Sequence, residues 1–187
     1  GWDIENYHLI SHPAQKAMLN IFQDLAQEDI DVVGIDGCTL PAPYLSLQGF
    51  ARALAKITAP NLLKGKMQDA ALQIVKSTIK FPFLTGGTKS PNSIMTAASS
   101  KKFFAKNGAE GVYAVIFPLA KAAMVLKIAD GNMRAANVAI AGMLSQMADT
   151  LDLDKDVLAR FSCEDMFNSV NQKIGQCQFS KIMPIIN

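Results

Sequence analysis

The chain has 187 residues, half of them hydrophobic, and a net charge of +2, enough apolar content for a real core in a single domain over 1–187. No basic run or aromatic-basic interleaving points to nucleic acid, and no apolar run approaches membrane-spanning length, so neither is an expected partner. Three sparse cysteines, Cys38, Cys163 and Cys177, suit a reducing compartment, and the expected location is cytoplasmic.

The first residue is glycine, from which a processed, cut or engineered start is expected. Residues 1–11 have no sustained period and read as a loop with one large anchor, Trp2. Ser11 is the predicted N-cap, with Pro13 in the first helical turn. Ala17, Met18, Ile21, Phe22 and Leu25 mark one face of a helix ending near Glu28. His8 and His12 stand four apart, a metal spacing on a helix. Pro13 moves His12 away from helical geometry, so His12 is read as fixing the helix start. Ile30 to Ile35 reads as a buried-type strand closed by the Asp36-Gly37 turn.

Leu47, Phe50, Ala51, Leu54 and Ala55 mark the next helix. Another runs from about Lys66 to Ile79, ended by Pro82 and Gly86-Gly87, and residues 84–92 read as a loop. Ser93 to Ser100 is a short helix. Lys102 to Ala105 reads as a strand. Val112–Phe117 and Ala122–Ile128 read as a hairpin across a turn containing Pro118. Met133 to Leu151 is one long alanine-rich helix, in which Gly142 suggests close packing at some cost in propensity. Asp154 caps a short helix through Phe161, and Gln172 to Phe179 returns as a strand or loop. Without internal repeat or low-complexity linker, this mixture predicts an α+β (α/β layered) domain with helices on a mostly antiparallel sheet.

Candidate chemistry clusters in two places. Cys38 follows a strand on a tight turn, where a thiolate could bind zinc or attack a substrate; the alternative is a small buried apolar residue. Asp36 beside it could shape the turn or bind a substrate amine. The second place is Lys106-Asn107-Gly108-Ala109-Glu110-Gly111-Val112. Gly108 and Gly111 permit a bend or a close approach. Lys106 and Glu110 could hold a small zwitterion, or Lys106 could be a solvated charge that discourages edge pairing. Ser77-x-x-Lys80 and Ser99-x-x-Lys102 have a nucleophile-motif spacing, but this much Ser and Lys produces such matches by chance.

These stretches resemble a known family. Lys106 to Val112 is similar to the "Lys-Thr-Gly-Ala-Glu-Gly-Val" signature of the Rhizobium-type L-asparaginase (asparaginase II) family. Gly1-Trp2, Tyr7 and His12-Pro13-x-Gln15 resemble its "Gly-Trp…Tyr…His-Pro-x-Gln" segment. Asp36-Gly37-Cys38, Leu126-Lys127-Ile128-Ala129-Asp130-Gly131-x-x-Arg134-Ala135 and Asn171-x-x-Ile174-Gly175 resemble further motifs in the same order. The resemblance implies a fold related to glutaminases and serine β-lactamases, with Lys106-Asn107-Gly108 as counterpart of their Lys-Thr-Gly. It departs at Asn107, and at Lys89, Ser90, Pro91 and Asn92, where the family has an Arg and an Asp-Thr pair.

The family's serines and a "Cys-Ser-Gly-Lys-His" segment lie upstream of the Gly-Trp pair, so the resemblance covers the C-terminal half only. It implies an amidohydrolase that converts asparagine to aspartate and ammonia, with Lys106 as catalytic residue and Asp36, Gly108 and Glu110 at the substrate. It makes Cys38 a zinc ligand whose companions belong to the upstream segment, so zinc belongs to the full-length enzyme and the fragment alone is expected to be inactive. Neither Ser77 nor Ser99 aligns with the family's nucleophile. The implied partners are an asparagine-like amide and the missing N-terminal half or a second copy of the chain, since half a fold leaves apolar surface uncovered. The other reading is a non-catalytic binding or regulatory module that keeps the fold. The choice between asparagine, glutamine and another amide, and the oligomeric state, lie beyond sequence reasoning.

Cys38 has no sequence neighbour at disulfide spacing. Non-reducing mass mapping is expected to find it reduced and unpaired, and a bond to Cys163 or Cys177 would contradict this.

Overall fold

A computed structural model describes residues 1–180. In chain order the helices are α1 (Pro13–Ala26), α2 (Leu47–Ile57), α3 (Lys66–Lys80), α4 (Pro82–Gly86), α5 (Pro91–Ala98), α6 (Met133–Gln146), α7 (Ala148–Leu151) and α8 (Lys155–Ala159). The strands are β1 (Val33–Ile35), β2 (Pro41–Pro43), β3 (Phe104–Asn107), β4 (Val112–Phe117), β5 (Ala122–Lys127), β6 (Cys163–Phe167) and β7 (Lys173–Gln178). The architecture is α+β with antiparallel sheets, as expected from the sequence.

The apolar run of β4 organises the fold. It pairs with β3 on one side and β5 on the other. Because successive strand residues face opposite ways, the sheet presents two apolar faces. Ala105, Tyr113, Val115 and Phe117 pack with Met95 of α5 and with Ile140 and Leu144 of α6. Phe104, Ala114 and Ile116 pack with Leu54 of α2 and with Val75 and Ile79 of α3. Helices therefore cover both faces, and β4 is buried from Tyr113 to Phe117.

Several boundaries differ from the sequence reading. His12, not Ser11, caps α1: its Nδ1 accepts from the Ala14 N–H at 3.2 Å, while Nε2 lies 2.9 Å from the Asp3 carbonyl. The ring spans two backbone segments, which a serine is too short to do. The 30–35 strand is three residues long and not buried; Ile35 is 82% exposed. It pairs only with β2, whose Pro41 and Pro43 limit the ladder, and this two-stranded sheet is separate from the central one. Residues 84–92 are not all loop, because Pro82 starts α4 and Pro91 starts α5. The helix expected over 133–151 breaks at Met147 into α6 and α7. Gly142 in α6 is the close approach its sequence position suggested. A Cβ there would run into the Phe179 ring that follows β7.

Strand β6 was not foreseen. Its Cys-Glu-Asp-Met-Phe sequence has no apolar alternation, and it forms because β7 supplies backbone partners. Cys163 sits opposite Gln178 and Cys177 opposite Glu164. The two cysteines thus point to opposite faces of the hairpin, and both are free thiols, as is Cys38.

Helices α1 and α2 are joined through polar groups. The Glu28 carboxylate accepts from the Ser46 N–H at 2.8 Å and the Ser46 hydroxyl at 2.6 Å, while Ser46 Oγ caps α2 through Gly49 N–H at 2.9 Å. A carboxylate at a helix N-terminus is favoured by the orphan amides and the dipole. The Arg52 guanidinium donates to the Ala26 carbonyl and Lys56 to the Asp24 carbonyl at the other helix's C-terminal end. The Ser46 hydrogen bonds hold the Glu28 carboxyl below the usual carboxylate range. A depressed carboxyl stabilises the fold above its unfolded pKa, and that contribution disappears as pH falls through the folded value. Glu28→Gln is therefore expected to lower the urea midpoint at neutral pH. The gap to wild type should close as the buffer is taken below the ordinary carboxylate range, and a gap independent of pH would contradict the coupling.

Candidate functional site

Between α2, α3 and the β3–β4 side of the central sheet lies a cleft of ≈ 440 Å³. Phe50, Leu54 and Ile57 line it from α2, Ile74 and Thr78 from α3, and Phe104, Ala114 and Ile116 from the sheet floor. Lys106, Asn107, Gly108 and Val112 complete it. Lys106 is the only charged residue in this lining. Its place follows from strand periodicity: it shares a face with Phe104 and sits opposite Ala114. The sequence put the strand at 102–105; it runs two residues further, so Lys106 and Asn107 are strand residues rather than residues beyond its end.

Lys106 is exposed at the rim, and its Nζ donates to the carbonyl of Asn107 at 2.6 Å. Gly108 closes the turn, its N–H donating to the Val112 carbonyl at 2.8 Å. The two hydroxyl groups of the lining are committed to backbone. Thr78 Oγ1 donates to the Ile74 carbonyl at 2.9 Å and Thr85 Oγ1 to the Pro82 carbonyl at 2.6 Å. No serine or cysteine is among the lining residues.

Glu110 is exposed and makes no hydrogen bond or ion pair with Lys106 among the described residues. It stands in left-handed geometry (φ 53°) on the exposed turn, with its carboxylate over Gly131. Gly111 (φ 69°) follows, and its carbonyl accepts from the Ile128 N–H at 3.0 Å. Two motifs distant in sequence thus meet here, Lys106–Val112 and Leu126–Arg134. A Cβ on Gly111 would lie 2.8 Å from Ile128 Cβ and 3.1 Å from the Gly131 carbonyl carbon.

Asp36 and Cys38 lie together on the β1–β2 turn, both exposed, and neither belongs to the cleft lining. Asp36 Oδ1 accepts from the Gly37 N–H at 2.8 Å, and the Cys38 thiol lies 3.5 Å from Oδ2. Asp36 therefore performs the turn role that its residue type suggests. Cys38 is not the small buried residue of the alternative reading. As a zinc centre the pair does not fit: one sulfur and one carboxylate leave a tetrahedral ion half-ligated, and among the described residues no group of three His, Cys, Asp or Glu gathers to hold a metal.

The spacing decoys separate. Ser99 is buried, and its hydroxyl lies 2.8 Å from the carbonyls of both Thr96 and Phe103, which share its single proton. Lys102 pairs with Asp152 at 2.7 Å and holds that carboxyl below its usual range. Ser77 and Lys80 are exposed on α3, with Lys80 Nζ 5.1 Å from the Phe81 ring centroid.

Sequence reasoning missed a buried polar group behind the 87–90 loop. Asn92 and Ser93 are buried in α5, and the Asn92 amide nitrogen and the Ser93 hydroxyl have no partner among the described residues. Gly86 packs on both, at a distance that leaves no room for a Cβ. The signal was present in two polar residues on the core side of a helix opened by Ser90-Pro91. Tyr113, opposite Asn107, is also fully buried, its hydroxyl has no partner among the described residues, and burial pushes its phenol pKa up.

A family model, L-asparaginase II, matches residues 1–179, from the Gly-Trp pair to the end of the β6–β7 hairpin. The chain belongs to the L-asparaginase II family. No curated protein matches it significantly. Membership in the L-asparaginase II family supports an asparaginase-like amidohydrolase and an asparagine-like small-molecule substrate. No helix among the described residues is long and apolar enough to cross a membrane.

Gly111→Ala should lower stability by about 1–3 kcal/mol, because it adds a left-handed alanine and forces the 128–131 segment away. Gly108→Ala should cost less, since only the Val112 side chain, at 3.3 Å, must yield. Urea denaturation of the two variants tests this; equal losses would deny the motif junction its role.

Proposed function

We propose that this chain supplies one wall of an asparaginase site that hydrolyses the side-chain amide of asparagine to aspartate and ammonia. The observation that carries the reading is the lone cation, Lys106, on the rim of an apolar cleft, within the family's glycine-bracketed motif. A lysine beside a serine can accept the hydroxyl proton and so activate the nucleophile, or stabilise charge there. Lys106 takes that role and Gly108 lets the substrate approach the backbone, while Glu110, with its carboxylate over Gly131, and Asp36, on the β1–β2 turn, lie outside the cleft lining and take no part in this wall.

The chain is inactive by itself and is one domain of a longer fold of the glutaminase and β-lactamase kind. Two features support this. The cleft lining holds no free nucleophile. Large apolar side chains lie uncovered near the chain start, including Trp2, Ile4 (83% exposed), Tyr7 and Ile10. The occupant we assign to that surface is the segment upstream of Gly1, which in the family carries the serines; self-association of the chain is the alternative cover. Zinc, if the enzyme uses it, would need ligands from that segment beside Cys38. The free thiols support a cytoplasmic location.

A second reading, a non-catalytic binding module, draws on one observation. Asn107 replaces the threonine of the family motif, and the Lys106 ammonium is turned onto its carbonyl.

Ammonia release from asparagine separates these readings. The 187-residue chain should release none above background. Restoring the upstream segment should produce turnover that Lys106→Met reduces by about 10²-fold or more. Asparagine binding without turnover after restoration would favour the module. Turnover by the chain alone, abolished by Ser77→Ala, would overturn both.

A further inference from the structure

A second concavity, of ≈ 600 Å³, is lined by Val75, Lys76, Ile79 and Lys80 of α3 and by Lys101. It shares no residue with the cleft. Helical periodicity explains this: Ile74 and Thr78 face one way, while Lys76 and Lys80, one turn apart, face another. Three lysines from two elements therefore line it beside Val75 and Ile79, with the Lys80 ammonium also over the Phe81 ring at 5.1 Å, and no carboxylate is in the lining.

The third lysine is held there by the core. Ser99 is buried and fixes the turn through its hydrogen bonds to Thr96 and Phe103, and the Lys102 N–H donates to the Ser99 carbonyl at 3.0 Å. Ser100 and Lys101 are both left-handed, at φ 52° and 69°. The neighbouring Lys102 is neutralised by Asp152. Lys76, Lys80 and Lys101 have no ion-pair partner among the described residues. Like charges gathered without a counter-charge repel, and an anion seated between them relieves that repulsion. The aliphatic floor favours a ligand with an apolar body attached to its anionic head.

We propose that this concavity is a binding site for a small organic anion, an aromatic or aliphatic phosphate or carboxylate, separate from the amidohydrolase cleft. The head group is held by the three ammonium groups, and the body lies on Val75 and Ile79.

Calorimetric or NMR titration of the intact chain with phenyl phosphate and with inorganic phosphate tests it. Phenyl phosphate is expected to saturate, to bind more tightly than inorganic phosphate, and to weaken as salt rises. Lys101→Gln should weaken it by about tenfold, and the Lys76→Gln, Lys80→Gln, Lys101→Gln triple variant should abolish it. Lys121→Gln, on the β4–β5 turn, should leave it unchanged. Equal binding of the two probes would remove the apolar floor from the site. Binding that survives the triple variant, falls equally with Lys121→Gln, or never saturates would overturn the proposal. All of these exposed lysines can be exchanged without touching the core, and circular dichroism confirms that each variant is folded.

Discussion

Burial of β4 on both faces is the constraint on which the rest of the structure depends. A strand covered on both sides must be apolar along its whole length rather than in alternation, and Val-Tyr-Ala-Val-Ile-Phe meets that demand. Each face then requires its own helical layer. The α5 and α6 layer seals the side carrying Tyr113 and Val115. The α2 and α3 layer covers the side carrying Ala114 and Ile116, but incompletely toward Lys106. The cleft is thus where the second layer stops short of the sheet. The small side chain of Ala114 deepens its floor, and the strand period delivers one cation to its edge.

The glycines of the two hairpin motifs act as a joint between sheet and helix α6. Gly111 and Gly131 are both left-handed, at φ 69° and 75°, and pass within contact distance. Their approach sets where β5 ends and where Asn132, whose side chain accepts from the Arg134 N–H at 3.0 Å, begins α6. The family's motif residues here serve geometry as much as chemistry. Lys106 alone among them is positioned by the motif yet not consumed by its turn.

Much of this was legible in the sequence. The α2 and α3 periodicities, the β4–β5 hairpin, the Asp154 cap and the α+β class follow from local patterns, because each buries a face that its own period defines. Other parts were not legible, for specific reasons. His12 bonds Asp3, nine residues away, a contact that no cap propensity contains. Strand β6 is polar and is held by β7. The 30–35 run carries four aliphatic residues, yet its strand lies largely exposed because only β2 pairs with it.

By itself the sequence determined the family, through ordered motifs, and set a cation and two glycines within its signature stretch. Those are properties of residue type and spacing. Only the tertiary structure decided which of the candidate residues share a surface. Lys106 and Gly108 line the cleft with α2 and α3, Glu110 turns to the 130–131 loop, and Asp36 with Cys38 stands on a separate two-stranded hairpin. The physical reason is that side-chain direction is fixed by strand register and turn handedness. Both are settled by long-range pairing and packing, and neither is written in the spacing of the residues along the chain.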